Sequence, residues 1–558
     1  MMANKEHFNL VEEPWIKVID QVGRNRLLSL QEVFTDAANI RDLAGEMRSQ
    51  DLAILRFLLA ILTTIYSRVD FDGQPYDWID EPEDFDRDDL VDTWANIWNA
   101  GNFSHAVNDY LQEHCDDFDL LSKHHPFYQV TKEQYDNYVP ANKAIAKGKG
   151  TVAIKQMDRT ISESNNSPAI FSPKDKIDEN KIDLPTFTRW LITYQNFTGV
   201  TDKTKVVSDE KFSASNGWLY GIDPVFFHGK NLFQTLLLNL KMQNFDDDEY
   251  ISQHPVWEEK IDHYISHRLA NGFPNNVSEL YTIWSRIIHV EWNNGQPTVF
   301  SACLPKTPNE GSFKVEPMTT WKKDKQGNIK PEVKWIKSLG KAMWRNFGQY
   351  VSISADANDQ SYKPGVVRWV NELKNNYHLI SQNQMLNLAT IGMVSDGNAT
   401  SQSPAAEVTD NLQIEAGVLF DKENSNQAYW PATINSAIDV TQAVADSYWK
   451  FAKQLGDLRG LLNSSDFATD QSKQFYERLN EPFYKWLASL SSEDERSDEY
   501  AKWLKQLKAL ALLQGRLLFN SASPSDVKGK INSDTGKITN IFTIYRIYTG
   551  RVFHKLSI

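Results

Sequence analysis

Apolar residues along this chain fall into two periodicities, and the changes between them outline its organisation. From Gln50 onward Leu52, Leu55, Leu59, Leu62 and Tyr66 recur at helical spacing, which predicts a core helix. Upstream, Phe8-Asn9-Leu10 through Trp15-Ile16-Lys17-Val18 alternates as a strand. Leu27-Leu28-Ser29-Leu30 then leads into Gln31-Glu32-Val33-Phe34, so the chain opens as a small β-hairpin followed by a helix start. A helix around 185–194 and an apolar periodic run over 232–240 come later. Between these elements the pattern dissolves: 130–184 reads as polar and basic loop, with Lys143, Lys147, Lys149, Lys155 and Arg159 around Gly148 and Gly150, and 198–216 is irregular. Loops of that length are uncommon in compact domains unless they are functional or disordered.

Beyond Trp430-Pro431 the character changes. Four helical stretches are predicted, roughly 431–463, 469–490, 493–521 and 536–555, with Ser492 and Glu495 as a capping box for the third. Trp503, Leu507, Leu510, Leu513 and Leu517 form one stripe, and Ile538, Ile541, Tyr545, Tyr548 and Val552 another. Four amphipathic helices with short links imply a four-helix bundle, a packing or docking module, and the Glu-x-x-His motif of di-iron bundles is missing. The expected fold class is therefore α+β: a large mixed N-terminal domain over 1–415 followed by a C-terminal four-helix bundle over 416–558.

Length and charge sharpen this picture. At 558 residues the chain exceeds the size at which single cores stop growing. Its formal net charge is -14, so it cannot coat nucleic acid indiscriminately, and any such contact must be a confined patch. One patch stands out: Lys322, Lys323, Lys325, Lys330, Lys334, Lys337 and Lys341 face only Asp324 and Glu332 in a stretch bounded by Trp321 and Trp344. Such a basic loop suits a phosphate backbone, because lysines gain by releasing condensed counterions; a solvated lysine-rich hairpin without a ligand has the same composition. Cys115 and Cys303 are too few for a disulfide framework or a Cys-rich zinc site and fit a reducing cytoplasm. The first residues lack the apolar core of a signal peptide, and Leu55 to Tyr66 is too short to span a bilayer, so neither secretion nor a membrane is expected.

Searching for chemistry yields little. His263 and His267 sit four apart behind Glu258 and Glu259, without a third ligand at a telling distance. His114 and Cys115 are adjacent, and adjacent residues on a helix point about 100° apart, so a buried cysteine is the simpler reading. Gly148-Lys149-Gly150-Thr151 imitates the end of a P-loop but lacks the earlier glycine and the preceding strand. No hydrolase, kinase or nuclease signature stands out. A non-enzymatic role is expected, with no metal and no cofactor.

Read together, several segments resemble CasA, the large subunit family of the type I-E CRISPR Cascade surveillance complex. They are Phe8-Asn9-Leu10 with Trp15-Ile16; His125-Pro126-Phe127-Tyr128-Gln129; Ser164-Asn165-Asn166-Ser167 before Ile170-Phe171; Leu184-Pro185 with Arg189-Trp190-Leu191; Gly217-Trp218 with Thr235-Leu236-Leu237-Leu238-Asn239-Leu240; Glu316-Pro317-Met318-Thr319; Ala342-Met343-Trp344-Arg345; and Gly392-Met393 leading to Gln402-Ser403 and Glu407-Val408. The resemblance spans nearly the whole chain.

What it implies is a DNA reader that inspects the protospacer-adjacent motif (PAM) of duplex DNA from the minor-groove side, through a glycine-rich loop, a lysine and a glutamine wedge that opens the duplex. On this sequence the lysine falls on Lys322 or Lys323, with Lys325 third. The glycine loop corresponds to Ser213, Ala214, Ser215, Asn216 and Gly217, and departs from the family in having one glycine. The wedge falls between Ser395 and Gln402, with Gln402 and Asn398 both candidates. Phe171 matches a loop that docks into the rest of the complex. Implied partners are CasB, CasC, CasD and CasE, a CRISPR guide RNA, target double-stranded DNA and a recruited helicase-nuclease. The alternatives are a protein-only scaffold whose bundle docks partners and whose lysine loop is inert, and a metal-dependent nuclease resting on His263 and His267.

Overall fold

The computed structural model of the chain describes residues 5–161, 174–175, 177–199, 203–214, 216–243, 249–293, 295–333, 340–352, 362–395, 404–422, 429–531, 536 and 538–556. The chain divides into two compact units. The first comprises Met1–Leu339, Pro364–Val370 and Leu388–Thr409, and the second Gly340–Lys363, Asn371–Asn387 and Asp410–Ile558. Helix and sheet are mixed and the C-terminal region is helical, as the α+β reading required.

The first unit opens with β1 (Ile16–Asp20) and β2 (Asn25–Leu28), paired antiparallel with Ile16 opposite Leu28. Helix α1 (Leu30–Thr35) follows, started by a capping box in which Ser29 and Glu32 exchange hydrogen bonds, and β3 (Ile40–Leu43) completes the sheet in the order β2-β1-β3. The strand expected from Phe8 begins only at Ile16. Upstream, Asn9 folds the chain into a turn by accepting from the Val11 N–H, and its backbone accepts from the N–H groups of Glu12 and Glu13. Helix α2 (Arg48–Tyr66) is the core of this unit, with every residue from Ser49 to Tyr66 buried. It runs longer than its apolar pattern and is long and apolar enough to cross a membrane by length and composition, yet it lies wholly inside the fold. It packs on α3 (Leu184–Phe197), which starts with Asp183 as N-cap and Pro185 in its first turn.

The stretch expected to be loop from Val130 holds more structure than its composition suggests. Residues Lys132–Tyr138 form a helix started by a Thr131–Gln134 capping box, a signal the hydrophobic pattern conceals because only Tyr135 of that helix is buried. Strand β4 (Val225–Phe227) follows, and β5 (Arg286–Asn293) and β6 (Gln296–Cys303) make a long hairpin with Arg286 opposite Cys303. The backbone of Thr151 and Val152 docks on this hairpin at Val299. Gly150, at φ +92°, is a glycine because a Cβ would meet Val299, so the Gly-Lys-Gly-Thr segment is occupied by sheet packing. A second hairpin pairs β7 (Trp321–Lys323) with β8 (Ile329–Pro331), and β9 (Met385–Ser395) lies between β4 and β10 (Pro404–Glu415).

In the second unit α4 (Trp430–Arg459) packs against α5 (Ser464–Ser489), α6 (Arg496–Asn520) and α7 (Ile541–Lys555). Each of the four expected helices is present, with three local differences. Ser492 does not cap α6: its N–H and hydroxyl both donate to Glu415, and the helix starts at Arg496. The stripe of α6 that faces inward is Trp503, Leu504, Leu507, Ala511, Gln514 and Leu518, leaving Leu513 and Leu517 exposed; Ile538, expected in the α7 stripe, is exposed on a two-stranded hairpin before that helix.

Candidate nucleic-acid interface

The basic island is a hairpin, and its register decides what its lysines can do. Lys322 stands directly opposite Lys330, so both project from one face of the strand pair, whereas Lys323 projects from the other. Like charges placed opposite each other repel. Here each is countered on the diagonal: Lys322 Nζ pairs with Glu332, and Lys330 Nζ lies 3.7 Å from Asp324. The turn is built by Asp324, whose Oδ1 accepts from the N–H groups of Gln326 and Asn328, with Gly327 at φ +89°. Although desolvation works against it, those backbone donors and the Lys330 charge hold the Asp324 carboxyl below its ordinary range. The two acids that look incidental in the sequence therefore neutralise two of its lysines.

This face lines a cleft of about 310 Å³ shared with Asn216, Gly217, Trp218, Lys306, Thr307 and Asn309. The structure thus brings Lys322 together with the Asn216–Gly217 end of the glycine-loop segment. Gly217 is a glycine because a Cβ there would stand 2.3 Å from the Asn196 carbonyl oxygen; its own N–H donates to Thr198, so the chain is pressed onto the C-terminus of α3. Ser213 is exposed and Ala214 half-buried, and neither lines the cleft. Ser215, Phe171, Asn398 and Gln402 lie outside the described residues. Of the strands flanking the wedge segment, β10 is fastened to the core where Glu407 accepts from the Ser49 N–H at the start of α2.

Three fully buried arginines fix the loops of the cleft. Arg56, in the middle of α2, makes a bidentate pair with Glu316 at 2.9 and 2.8 Å and stacks on Tyr281; the same carboxylate accepts from Trp218 Nε1 at 2.6 Å and from the Met318 N–H at 2.8 Å. Met318 in turn accepts from the Val225 N–H, which ties the strand leading into β7 to β4. Arg268 donates to the carbonyls of Trp284 and Pro305 and to the Thr307 hydroxyl, setting the loop that carries Lys306. Arg286 donates to the Gly199 carbonyl beyond α3. Buried pairs of this kind are weak contributors to net stability but hold one geometry, since breaking either side strands a charge.

Lys306 and the arginines are the residues that sequence reasoning missed. A lone arginine within the apolar run Leu52 to Leu62 was the available signal for Arg56, because such a charge is buried only when paired. The other chemical candidates resolve into structural roles. His263 pairs with Glu259, and His267 Nδ1 lies 3.9 Å from Glu279; among the described residues no cluster of His, Cys, Asp or Glu is placed to hold a metal. Cys115, half-buried rather than buried, accepts from Asn9 Nδ2 at 3.1 Å, and desolvation pushes its thiol upward, away from thiolate character.

The CRISPR-associated protein Cse1 family model matches residues 9–514. The chain is 25% identical over 262 residues to a CRISPR-associated protein CasA/Cse1 of Thermus thermophilus, a match spanning 46% of this chain and 43% of that protein. Cse1 of Thermobifida fusca superposes with a TM-score of 0.77 at 21% identity, covering 99% of this chain and 98% of that one. Cse1 of Acidimicrobium ferrooxidans does so with a TM-score of 0.73 at 20% identity over the full length of both. A chain of a CRISPR RNA-guided surveillance complex matches with a TM-score of 0.67 at 14% identity, covering 98% of this chain and 99% of that one. With the family match extending across both units, this chain belongs to the CRISPR-associated Cse1 family.

Proposed function

We propose that this chain is the large subunit of a type I-E Cascade surveillance complex, reading the PAM of duplex DNA without catalysis of its own. The observation that carries the reading is the cleft in which Lys306, Lys322 and Lys330 converge with Asn216 and Trp218. Its chemistry suits a minor groove: A·T pairs present only acceptors there, and lysine ammonium groups are donors only. Asn216 adds an amide able to donate or accept. A groove with so degenerate a pattern supports tolerance of several PAMs.

In this reading the segment with Asn398 and Gln402, carried between β9 and β10, enters the first base step. Unstacking that step costs a few kcal/mol and lowers the barrier to guide pairing. The Phe171 segment and the bundle engage CasB, CasC, CasD and CasE around the guide RNA, and the opened target is handed to a helicase-nuclease. The test is co-purification with tagged neighbouring subunits and their guide RNA, followed by binding to duplexes with randomised bases beside the target. Lys306→Ala with Lys322→Ala should weaken binding and flatten its salt dependence, and an unchanged slope would count against the cleft. Replacing Asn398 and Gln402 by Ala should slow R-loop formation on a paired target far more than on one with a pre-opened bubble.

Two observations favour a second reading, a protein-docking scaffold: Leu513, Leu517, Phe542 and Phe553 are exposed on α6 and α7, and two lysines of the hairpin are already paired. Retention in the complex with no PAM preference would support it.

A further inference from the structure

Resting on the DNA-reading role of the cleft, we infer that Glu332 is a displaceable counter-ion for Lys322, a gate that keeps this lysine from recruiting arbitrary phosphates and so sharpens discrimination between duplexes. The hairpin register builds the gate. Glu332 follows β8 directly, and its N–H donates to the Thr320 carbonyl at 2.9 Å, which sets the carboxylate diagonally across from Lys322, itself a residue of the cleft lining. Its side chain is 27% exposed and that of Lys322 40%, so both side chains reach solvent even though the Glu332 Oε2 that meets the ammonium is covered. Ion pairs this accessible contribute little net free energy, so an incoming DNA acceptor can replace the carboxylate at small cost. A duplex that brings no acceptor within reach leaves the pair closed, and a neutral pair exerts little long-range pull on phosphates.

One feature separates this arrangement from an ordinary surface contact. The lysine that Glu332 holds lines the cleft, as do the residues on either side of Glu332 in the chain, Pro331 and Val333. Removing the carboxylate also leaves the hairpin hydrogen bond from the Glu332 backbone in place, because glutamine keeps the same main chain.

Glu332→Gln, in the full chain assembled with its partner subunits and guide RNA, should raise affinity for duplex lacking a PAM several-fold. It should also steepen the dependence of log affinity on log salt by up to about 0.9, the value of one further neutralised phosphate. The ratio of PAM-bearing to PAM-lacking binding should narrow. Both effects should vanish when Lys322→Ala is already present. An increase that persists in the Lys322→Ala background would overturn the inference, because it would be general relief of repulsion between an acid and DNA. Lys322→Ala weakening PAM binding while Glu332→Gln changes nothing would overturn the gate and leave the cleft reading standing. Lys322→Ala without effect on any duplex would remove the cleft reading itself. Hydrogen exchange across Trp321–Pro331, unchanged in Glu332→Gln, checks that the hairpin is intact.

Discussion

Trp503 in the bundle meets Phe483 at 4.8 Å and Trp486 at 5.6 Å, and Phe451 stacks on Tyr548 at 5.1 Å. Beneath the cleft of the first unit the corresponding positions are Arg56, Glu316, Arg268 and Arg286, all buried to the same degree as those aromatic rings. The bundle takes its shape from non-directional apolar burial, which tolerates small shifts. The cleft takes its shape from directional pairs that allow one arrangement of each loop. Loops have no periodic apolar face with which to hold themselves, so a binding surface made from them needs another kind of anchor. Here the anchor is a charge placed in the middle of a core helix.

The largest effect should come from breaking that anchor. Arg56→Met leaves the Glu316 carboxylate buried with only the Trp218 and Met318 N–H donors, and removing one partner of a buried pair costs about 3–5 kcal/mol. Denaturant unfolding should show the loss, with faster hydrogen exchange at Met318 and along the β7–β8 hairpin but not along α6. Adding Glu316→Gln to Arg56→Met should recover part of the stability, because no uncompensated charge remains. Loss of protection spread equally over α6 would mean that the two regions share one anchor.

The two units should also differ in how pH acts on them. In the first, burial foremost, and then the charge of Glu259, push the Glu279 carboxyl up to about 7, and burial pushes Asp51 to about 7 as well. In the second, Glu481 is held low by Lys485, and Asp526, despite desolvation, is held low by the Ser523 backbone and Arg459. For Glu279 the folded state binds its proton more tightly than the unfolded chain. Its contribution is therefore complete below about 4.5 and is lost as pH rises to about 7, up to ~3 kcal/mol by linkage. The Asn275 backbone and the Arg268 charge moderate the loss once the carboxylate forms. Glu279→Gln should flatten the fall in urea midpoint between pH 5 and 8, and an unaltered fall would assign it to other groups.

A smaller effect tests the bundle on its own terms. A Cβ on Gly515 would stand 2.2 Å from the Tyr548 ring, whose hydroxyl donates to the Ala511 carbonyl. Helix propensity favours alanine over glycine by up to about 1 kcal/mol, yet overpacking costs about 1–3. Gly515→Ala should therefore lower stability and weaken the near-ultraviolet signal of the Tyr448–Phe451–Tyr548 cluster. A gain in stability would show that the cluster yields as a fluid core would.

The bundle was legible in the sequence because four amphipathic stretches repeat one period, and a buried face leaves that trace whatever the details of packing. The cleft was legible only in part. A run of lysines shows that charge is gathered, but not that Lys322 and Lys323 point to opposite faces, which follows from a hairpin only three residues deep on each side. Nor does local composition show that Glu332 and Asp324 meet particular lysines, since those pairs depend on strand register. Lys306 and Asn216 reach the cleft through contacts of loops far apart in the chain, and no local pattern encodes such a meeting. The wedge candidates Asn398 and Gln402 rest on the family resemblance alone.

The limit of periodicity is finest inside the bundle, where the expected stripe of α6 differs from the buried one by a fraction of a turn. Counting Trp503, Leu507, Leu510, Leu513 and Leu517 follows every apolar residue along one edge, but α6 is apolar on two edges. The helix turns Leu504, Ala511, Gln514 and Leu518 inward with Trp503 and Leu507. Gln514 accompanies them because its Nε2 donates to the Tyr448 hydroxyl at 3.1 Å, so a polar residue displaces a leucine from the core. Leu513 and Leu517 remain 50% and 44% exposed. Replacing both by serine should then change folding stability by no more than about 0.5 kcal/mol, as at other surface positions, whereas Leu507→Ala should cost about 2–5. A thermal or urea melt of the two variants side by side decides the matter. A loss of several kcal/mol from the serine pair would put the sequence-predicted edge in the core and make Gln514 the residue that faces out.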